Sequence, residues 1–196
     1  DCHAYLMSLG RILGATADTI PADIPYIAAP PDRIEAWREP LAGPGFMVGI
    51  AWAGRATHPQ DLQRSMDSAL FAPLAEIDGI SLYSLQKDQT KRPLAPALAD
   101  ALAADLGPQL TRFAETAAIV EHLDVVVTVY TSLAHLAGAL SKPVWTLLPF
   151  APDWRWMLNR DDTAWYPTMR LFRQAAADDW VDVVARIGDA LVEAVA

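Results

Sequence analysis

The run Leu123-Asp-Val-Val-Val-Thr-Val-Tyr-Thr-Ser-Leu-Ala-His-Leu-Ala-Gly-Ala-Leu140, followed by Lys142-Pro-Val-Trp-Thr-Leu-Leu-Pro149, constrains the fold more than any other segment. A β-branched apolar stretch stops at hydroxyl residues. Small and apolar residues then recur at helical spacing, and a second apolar stretch opens after Lys142-Pro143. The order is strand, helix, strand, which demands a crossover and a parallel pairing. In parallel α/β sheets the turn from a strand's carboxyl end to the next helix collects ligands, because unpaired N–H groups and the helix dipole attract anions there. Here that turn carries Thr131 and Ser132, with His135 one helical turn on. Two hydroxyls and an imidazole at a helix amino end suit a phosphate or diphosphate.

The same alternation extends along the chain. Strands are expected at Phe46 to Trp52, Ile80 to Leu85, 125–129, 143–148 and Met169 to Phe172, and helices at 68–77, 94–105, 115–123, 132–140 and from about 179 onward. This pattern implies an α/β fold, a Rossmann-like doubly wound parallel sheet covered on both faces. Upstream lie a short helix over 4–14, with Leu6, Leu9, Ile12 and Leu13 on one face, and a stiff segment with prolines at 21, 25, 30 and 31. Those prolines forbid a continuous helix and read as an interdomain linker. A second short helix is expected from Asp32, ending near Gly43-Pro44-Gly45. The divisions expected are therefore 1–18, a tail of a preceding domain; 19–45, linker and short helix; and 46–196, the Rossmann-like domain. The first residues, Asp1 to Met7, hold neither a start methionine nor a basic leader head, and the chain reads as a fragment of a longer one.

Composition removes several function classes. A formal charge of −9 over 196 residues argues against a nucleic-acid backbone as partner. The one cysteine, Cys2, excludes an intrachain disulfide and a multi-cysteine zinc site, in keeping with a reducing, cytoplasmic setting. No apolar stretch approaches the roughly 20 residues that span a bilayer. No spaced His, Cys and carboxylate cluster supports a protein metal site, and no cofactor is expected. Gly-X-Gly-X-X-Gly is missing after the first strand, which counts against a dinucleotide oxidoreductase.

Four further segments carry candidate chemistry. The first strand runs into Ala53-Gly-Arg-Ala-Thr-His-Pro-Gln-Asp-Leu-Gln-Arg-Ser-Met66, longer than the usual connection of about two to six residues. Gly54 lets backbone approach a ligand there, and Arg64 and Ser65 offer a guanidinium and a hydroxyl to phosphate oxygens; the alternative is a solvated loop with Arg64 in a salt bridge. The second strand ends at Gln86 and Lys87, positioned either for a nucleotide or for solvent. His135 either meets a ligand or bonds the preceding turn. Between Pro149 and Pro167, the residues Trp154, Arg155, Trp156, Arg160, Trp165 and Tyr166 either wall a sugar or base pocket or cover the core.

Taken in order, Val48-Gly-Ile-Ala-Trp-Ala-Gly54, Gln63-Arg-Ser65, Ser84-Leu-Gln-Lys87, Tyr130-Thr-Ser-Leu-Ala-His135, Leu148-Pro-Phe-Ala-Pro-Asp-Trp-Arg-Trp156 and Trp165-Tyr-Pro-Thr-Met-Arg-Leu-Phe-Arg-Gln174 resemble the carboxyl-terminal half of bacterial glycosyltransferases of the heptosyltransferase family, family nine, often fused to tetratricopeptide repeats. The resemblance runs the length of the chain. It implies the carboxyl-terminal half of a GT-B fold that holds a nucleotide-diphospho-sugar donor, with a saccharide or protein acceptor. The catalytic base would come from a missing amino-terminal domain, with His3 a remote candidate. By motif, Thr131, Ser132 and His135 would contact the diphosphate, Arg64 would neutralise it, and Gln86 and Lys87 would lie near the nucleotide.

The family commonly has an aspartate where this chain has Tyr130, and at neutral pH a phenol supplies no negative charge. The implied reaction is inverting, metal-independent glycosyl transfer of hexosyl or heptosyl type, with His135 and Arg64 stabilising the leaving group. The alternative is a catalytically degenerate nucleotide-sugar-binding or protein-interaction module.

Overall fold

The computed structural model describes residues 3–196, so the expectations attached to Asp1 and Cys2 lie outside the described residues. Six strands, β1 Phe46–Ala51, β2 Ile80–Ser84, β3 Ala104–Asp105, β4 Val125–Val129, β5 Val144–Leu148 and β6 Met169–Arg173, form one sheet in the order β3-β2-β1-β4-β5-β6. Every pairing is parallel. The order reverses between β1 and β4, where a doubly wound sheet opens a crevice at its carboxyl edge. The α/β, Rossmann-like fold read from the alternating pattern is present.

The helices are α1 Leu9–Ile12, α2 Pro31–Arg38, α3 Asp61–Arg64, α4 Pro96–Ala99, α5 Phe113–His122, α6 Ser132–Ala139 and α7 Trp180–Val195. Two apolar layers sandwich the sheet. One face joins alternate strand residues such as Val126, Val144 and Leu171 to α5 and α6 through Ile119, Leu133 and Ala137. The other joins Val48, Ile50, Val127 and Leu147 to Phe71 and Leu74 and to Val183, Ile187 and Leu191 of α7. Central strands buried on both faces explain why β4 reads Val-Val-Val-Thr-Val rather than alternating with polar residues.

Four expectations need correction, the first being the second short helix, which ends at Arg38 and not near Gly43. Residues 94–105 hold only the single turn α4, and their end is the edge strand β3. The segment 68–77 is a 3-10 helix, Ser68–Glu76, with Pro73 inside it; proline removes a backbone donor and disfavours a regular α-helical ladder. The expected helix over 4–14 is a 3-10 turn, Leu6–Ser8, followed by one α turn, and Gly14 closes it at φ 67°. Leu6, Ile12 and Leu13 of this segment are exposed.

Candidate functional site

Helix α6 begins where β4 ends, and its first turn is the centre of the site. Thr131 is its N-cap, with extended backbone, and its hydroxyl accepts from Leu133 N–H at 3.3 Å. That is the ordinary use of a capping threonine. Ser132, the first helical residue, is exposed. It borders a cleft of about 270 Å³ at the carboxyl edge of the sheet. Leu85 and Lys87 reach the cleft from the end of β2, Leu110, Thr111 and Arg112 from the segment before α5, Phe113 and Thr116 from α5, and Leu133 and Leu136 from α6. Lys87 and Arg112 bring two cations to the walls of this mainly apolar cleft, and the amino ends of two helices meet there. Such a combination accepts a ligand with a flat apolar part and a negative part.

On the other flank, the loop after β1 is more ordered than a solvated connection. It contains the helical turn α3, which buries Arg64 to 7% exposure. The guanidinium Nη1 donates to the Tyr130 carbonyl at 3.4 Å, its carbon lies 5.5 Å from the Tyr130 ring centre, and Nε is 4.0 Å from Asp61 Oδ1. Arg64 Nε is buried with no hydrogen-bond partner. Gly54 lies against this group: a Cβ there would meet the guanidinium carbon at 2.5 Å. The glycine lets the Arg64 guanidinium approach the backbone this closely.

Ser65 departs from its expected role. It is buried, its hydroxyl accepts from Gly54 N–H at 3.0 Å and donates to Asp61 at 2.7 Å, so it braces the loop. Gln86 departs further. Its Oε1 accepts from Trp52 N–H at 3.1 Å and Ala53 N–H at 2.9 Å, and its Nε2 donates to the carbonyls of Ala53 and Asp88. This amide is saturated by backbone, and it ties the ends of β1 and β2 together. Lys87, its neighbour, is exposed and reaches the cleft.

His135, one helical turn after Ser132, does not line the cleft. Its Nδ1 is 3.0 Å from the Tyr166 hydroxyl, and its ring stacks on Trp156 with centroids 5.5 Å apart and planes at 17°. Burial, aided by the Arg155 charge and opposed by Asp153, holds its pKa below the ordinary histidine value. It is neutral at pH 7. Tyr130 completes the wall, edge-on to Trp156 at 6.4 Å, and burial raises its pKa against the pull of Arg64. The aromatic segment after β5 follows the core-covering reading at two positions. Trp156 and Tyr166 are core-packed, Trp165 donates from Nε1 to the Arg155 carbonyl at 3.0 Å, and Trp154 is exposed.

The residues singled out from sequence therefore assemble into two neighbouring groups around α6, Lys87 with Ser132 and Arg64 with Gly54, and a third, His135, in an aromatic wall. Arg112, just before α5, and Phe113 and Thr116, at its start, had no signal in the sequence beyond the nearby helix expected over 115–123. Among the described residues, no group of three His, Cys, Asp or Glu side chains is placed to hold a metal, and no helix is long and apolar enough to cross a membrane.

A family model described as glycosyltransferase family 9 (heptosyltransferase) matches residues 61–155, from α3 to the loop beyond β5. Among solved structures, ADP-heptose LPS heptosyltransferase II of E. coli aligns with a TM-score of 0.60 and 16% identity, over 91% of this chain and 55% of that one. The family 9 glycosyl transferase of Veillonella parvula aligns with a TM-score of 0.51 and 11% identity, over 91% of this chain and 51% of that one. The chain thus spans about half the length of these structures. No curated protein matches it.

Proposed function

From the premise that this chain is heptosyltransferase-like and related to glycosyltransferase family 9, we propose that it binds the nucleotide-diphospho-sugar donor of an inverting, metal-independent glycosyl transfer. The observation that carries this reading is the placement of the cleft: the amino ends of α5 and α6, Lys87 and Arg112 converge at the carboxyl edge of the sheet, beside its topological switch point. The apolar floor of Leu85, Leu110 and Leu136, with Phe113 beside it, takes the nucleoside. Ser132 and Lys87 face the diphosphate, and Thr131 shapes the turn that presents the helix amino end.

Transfer places negative charge on the departing diphosphate. Fixed donors and cations stabilise that charge best because they need no reorganisation as it develops. The α6 amino end, Ser132 and Lys87 supply this directly, His135 adds a neutral donor, and Arg64 adds a cation behind Tyr130. Inversion follows from a single displacement in which the acceptor hydroxyl attacks the face opposite the diphosphate. The acceptor, saccharide or protein, and the base that takes its proton belong to the amino-terminal half, residues 1–18 being that half's tail and 19–45 the connection.

A second reading rests on Arg64. Its guanidinium is covered by the Tyr130 ring and engaged with the Tyr130 carbonyl, which suits a module that retains donor binding and has lost transfer. Release of free nucleoside diphosphate from nucleotide-sugars by the whole protein, with the product's anomeric configuration read by NMR in chelator, separates the two. Inverted product supports transfer. Retained configuration, or transfer only with a divalent cation, contradicts the mechanism. Donor binding without turnover favours the degenerate module.

A further inference from the structure

We propose that Tyr26 and Tyr166 form a hydroxyl relay that fixes His135 as the Nε2–H tautomer and couples the proline-rich segment to helix α6. Three observations on separate elements meet here. The Tyr166 hydroxyl lies 3.0 Å from His135 Nδ1, and the Tyr26 hydroxyl lies 3.3 Å from that of Tyr166. The backbone N–H of Tyr26 donates to the Ala139 carbonyl in the last turn of α6 at 3.1 Å, which holds the segment in place.

The direction of the relay follows from acid–base chemistry. A phenol is a stronger acid than a neutral imidazole N–H, and an imidazole imine nitrogen is a stronger base than a phenol oxygen. O–H···N from Tyr166 to Nδ1 is therefore favoured over the reverse. With Nδ1 accepting, the ring proton belongs on Nε2, since the bond made by one imidazole nitrogen sets the state of the other. Tyr26 then donates to the oxygen of Tyr166. Burial keeps Tyr166 protonated and, with Arg155, keeps His135 neutral against the opposing Asp153.

The geometry is held by packing. The stacked Trp156 fixes the imidazole plane. The Tyr166 ring sits directly on Gly138, where a Cβ would be 2.6 Å from its Cγ. His135 Nε2 has no protein hydrogen-bond partner among the described residues. It is thus a neutral donor available to an anionic oxygen without being protonated, and movement of Tyr26 alters that donor from outside the sheet. Tyr166 and Tyr26 are positioning residues. Their effect on donor binding rests on the function proposed above; the tautomer does not.

The test is a long-range 1H–15N correlation spectrum of the histidine ring at pH 8 in the wild type, Tyr166→Phe and Tyr26→Phe, alongside separate titrations with ADP, UDP and GDP. The relay requires a protonated Nε2 and a hydrogen-bonded imine Nδ1 in the wild type. In Tyr166→Phe the Nδ1 resonance moves to that of an unbonded imine nitrogen, in Tyr26→Phe it moves part of the way, and the affinity for the bound nucleotide falls about threefold in Tyr166→Phe. Tyr26 is 61% exposed, so its variant keeps the fold and the test stands even if the buried variant unfolds. A protonated Nδ1 in the wild type, or a ring spectrum unchanged by both substitutions, overturns the relay. The relay spectrum without binding of any nucleotide upholds the relay and removes the functional reading instead.

Discussion

The guanidinium carbon of Arg64 lies 5.5 Å from the centre of the Tyr130 ring while Nη1 donates to the carbonyl of the same residue. One residue thereby gives the buried cation two electronegative partners, a ring face and a carbonyl oxygen, at the position where the family resemblance implies a carboxylate. The ring supplies a cation–π contact, and the negative charge beside Arg64 comes from Asp61, whose Oδ1 lies 4.0 Å from Nε. The Tyr130 hydroxyl contributes little to this, since it donates to Gln60 Oε1 at 3.3 Å.

Tyr130→Phe should therefore leave stability within about 1 kcal/mol of wild type, because the ring and the carbonyl remain. Tyr130→Ala removes a buried aromatic and should cost about 3 kcal/mol. Urea unfolding of the two variants checks this. Equal losses would mean that the hydroxyl, rather than the ring, holds Arg64.

Gly54→Ala addresses the same cation from the other side. The added methyl collides with the end of a flexible side chain, so the fold adjusts at small cost while Arg64 is displaced. A melting temperature within a few degrees of wild type is expected together with about tenfold weaker nucleotide binding. Unchanged affinity would remove Arg64 from the site.

Gln86→Leu should destabilise by about 3 kcal/mol, because it strands the buried N–H groups of Trp52 and Ala53 that its Oε1 now receives. Chemical denaturation measures this directly. A variant as stable as wild type would contradict the backbone-clamp role.

Much of the fold was readable because buried parallel strands and their crossovers have unmistakable apolar runs: β4, α6 and β5 fall within a residue of expectation. Ala104 and Asp105 gave no such signal, since a two-residue edge strand is defined by its pairing with Tyr83 and Ser84 and by nothing local. Among candidate site residues, Ser132 and Lys87 were picked out because strand ends in this fold face ligands, and both border the cleft. Gln86 sits at an equally exposed place in the pattern, yet its amide turns inward to backbone; sequence does not record which partner an amide takes. The pairing of Tyr26 with Tyr166 spans 140 residues and could emerge only from the folded chain.

The lowered pKa of His135 gives a signed pH dependence. Neutral in the native state, it protonates first in the unfolded chain. Its contribution is complete above the unfolded value of about 6.5 and is lost as pH falls through that value to the lower native one. Urea midpoints between pH 7.5 and 5 should therefore decline more steeply for wild type than for His135→Gln. Parallel declines would show that the imidazole is not held neutral by its surroundings.

Whether the cleft beside α6 holds a nucleotide diphosphate is decided by calorimetric titration of this chain with ADP, UDP, GDP and their sugar conjugates, with Lys87→Ala and an Arg64→Ala, His135→Ala double variant beside the wild type. Saturable binding of one nucleotide to the wild type is expected, weakened about tenfold by Lys87→Ala and lost in the double variant. No binding by any of them, or binding that both variants leave untouched, would contradict the account.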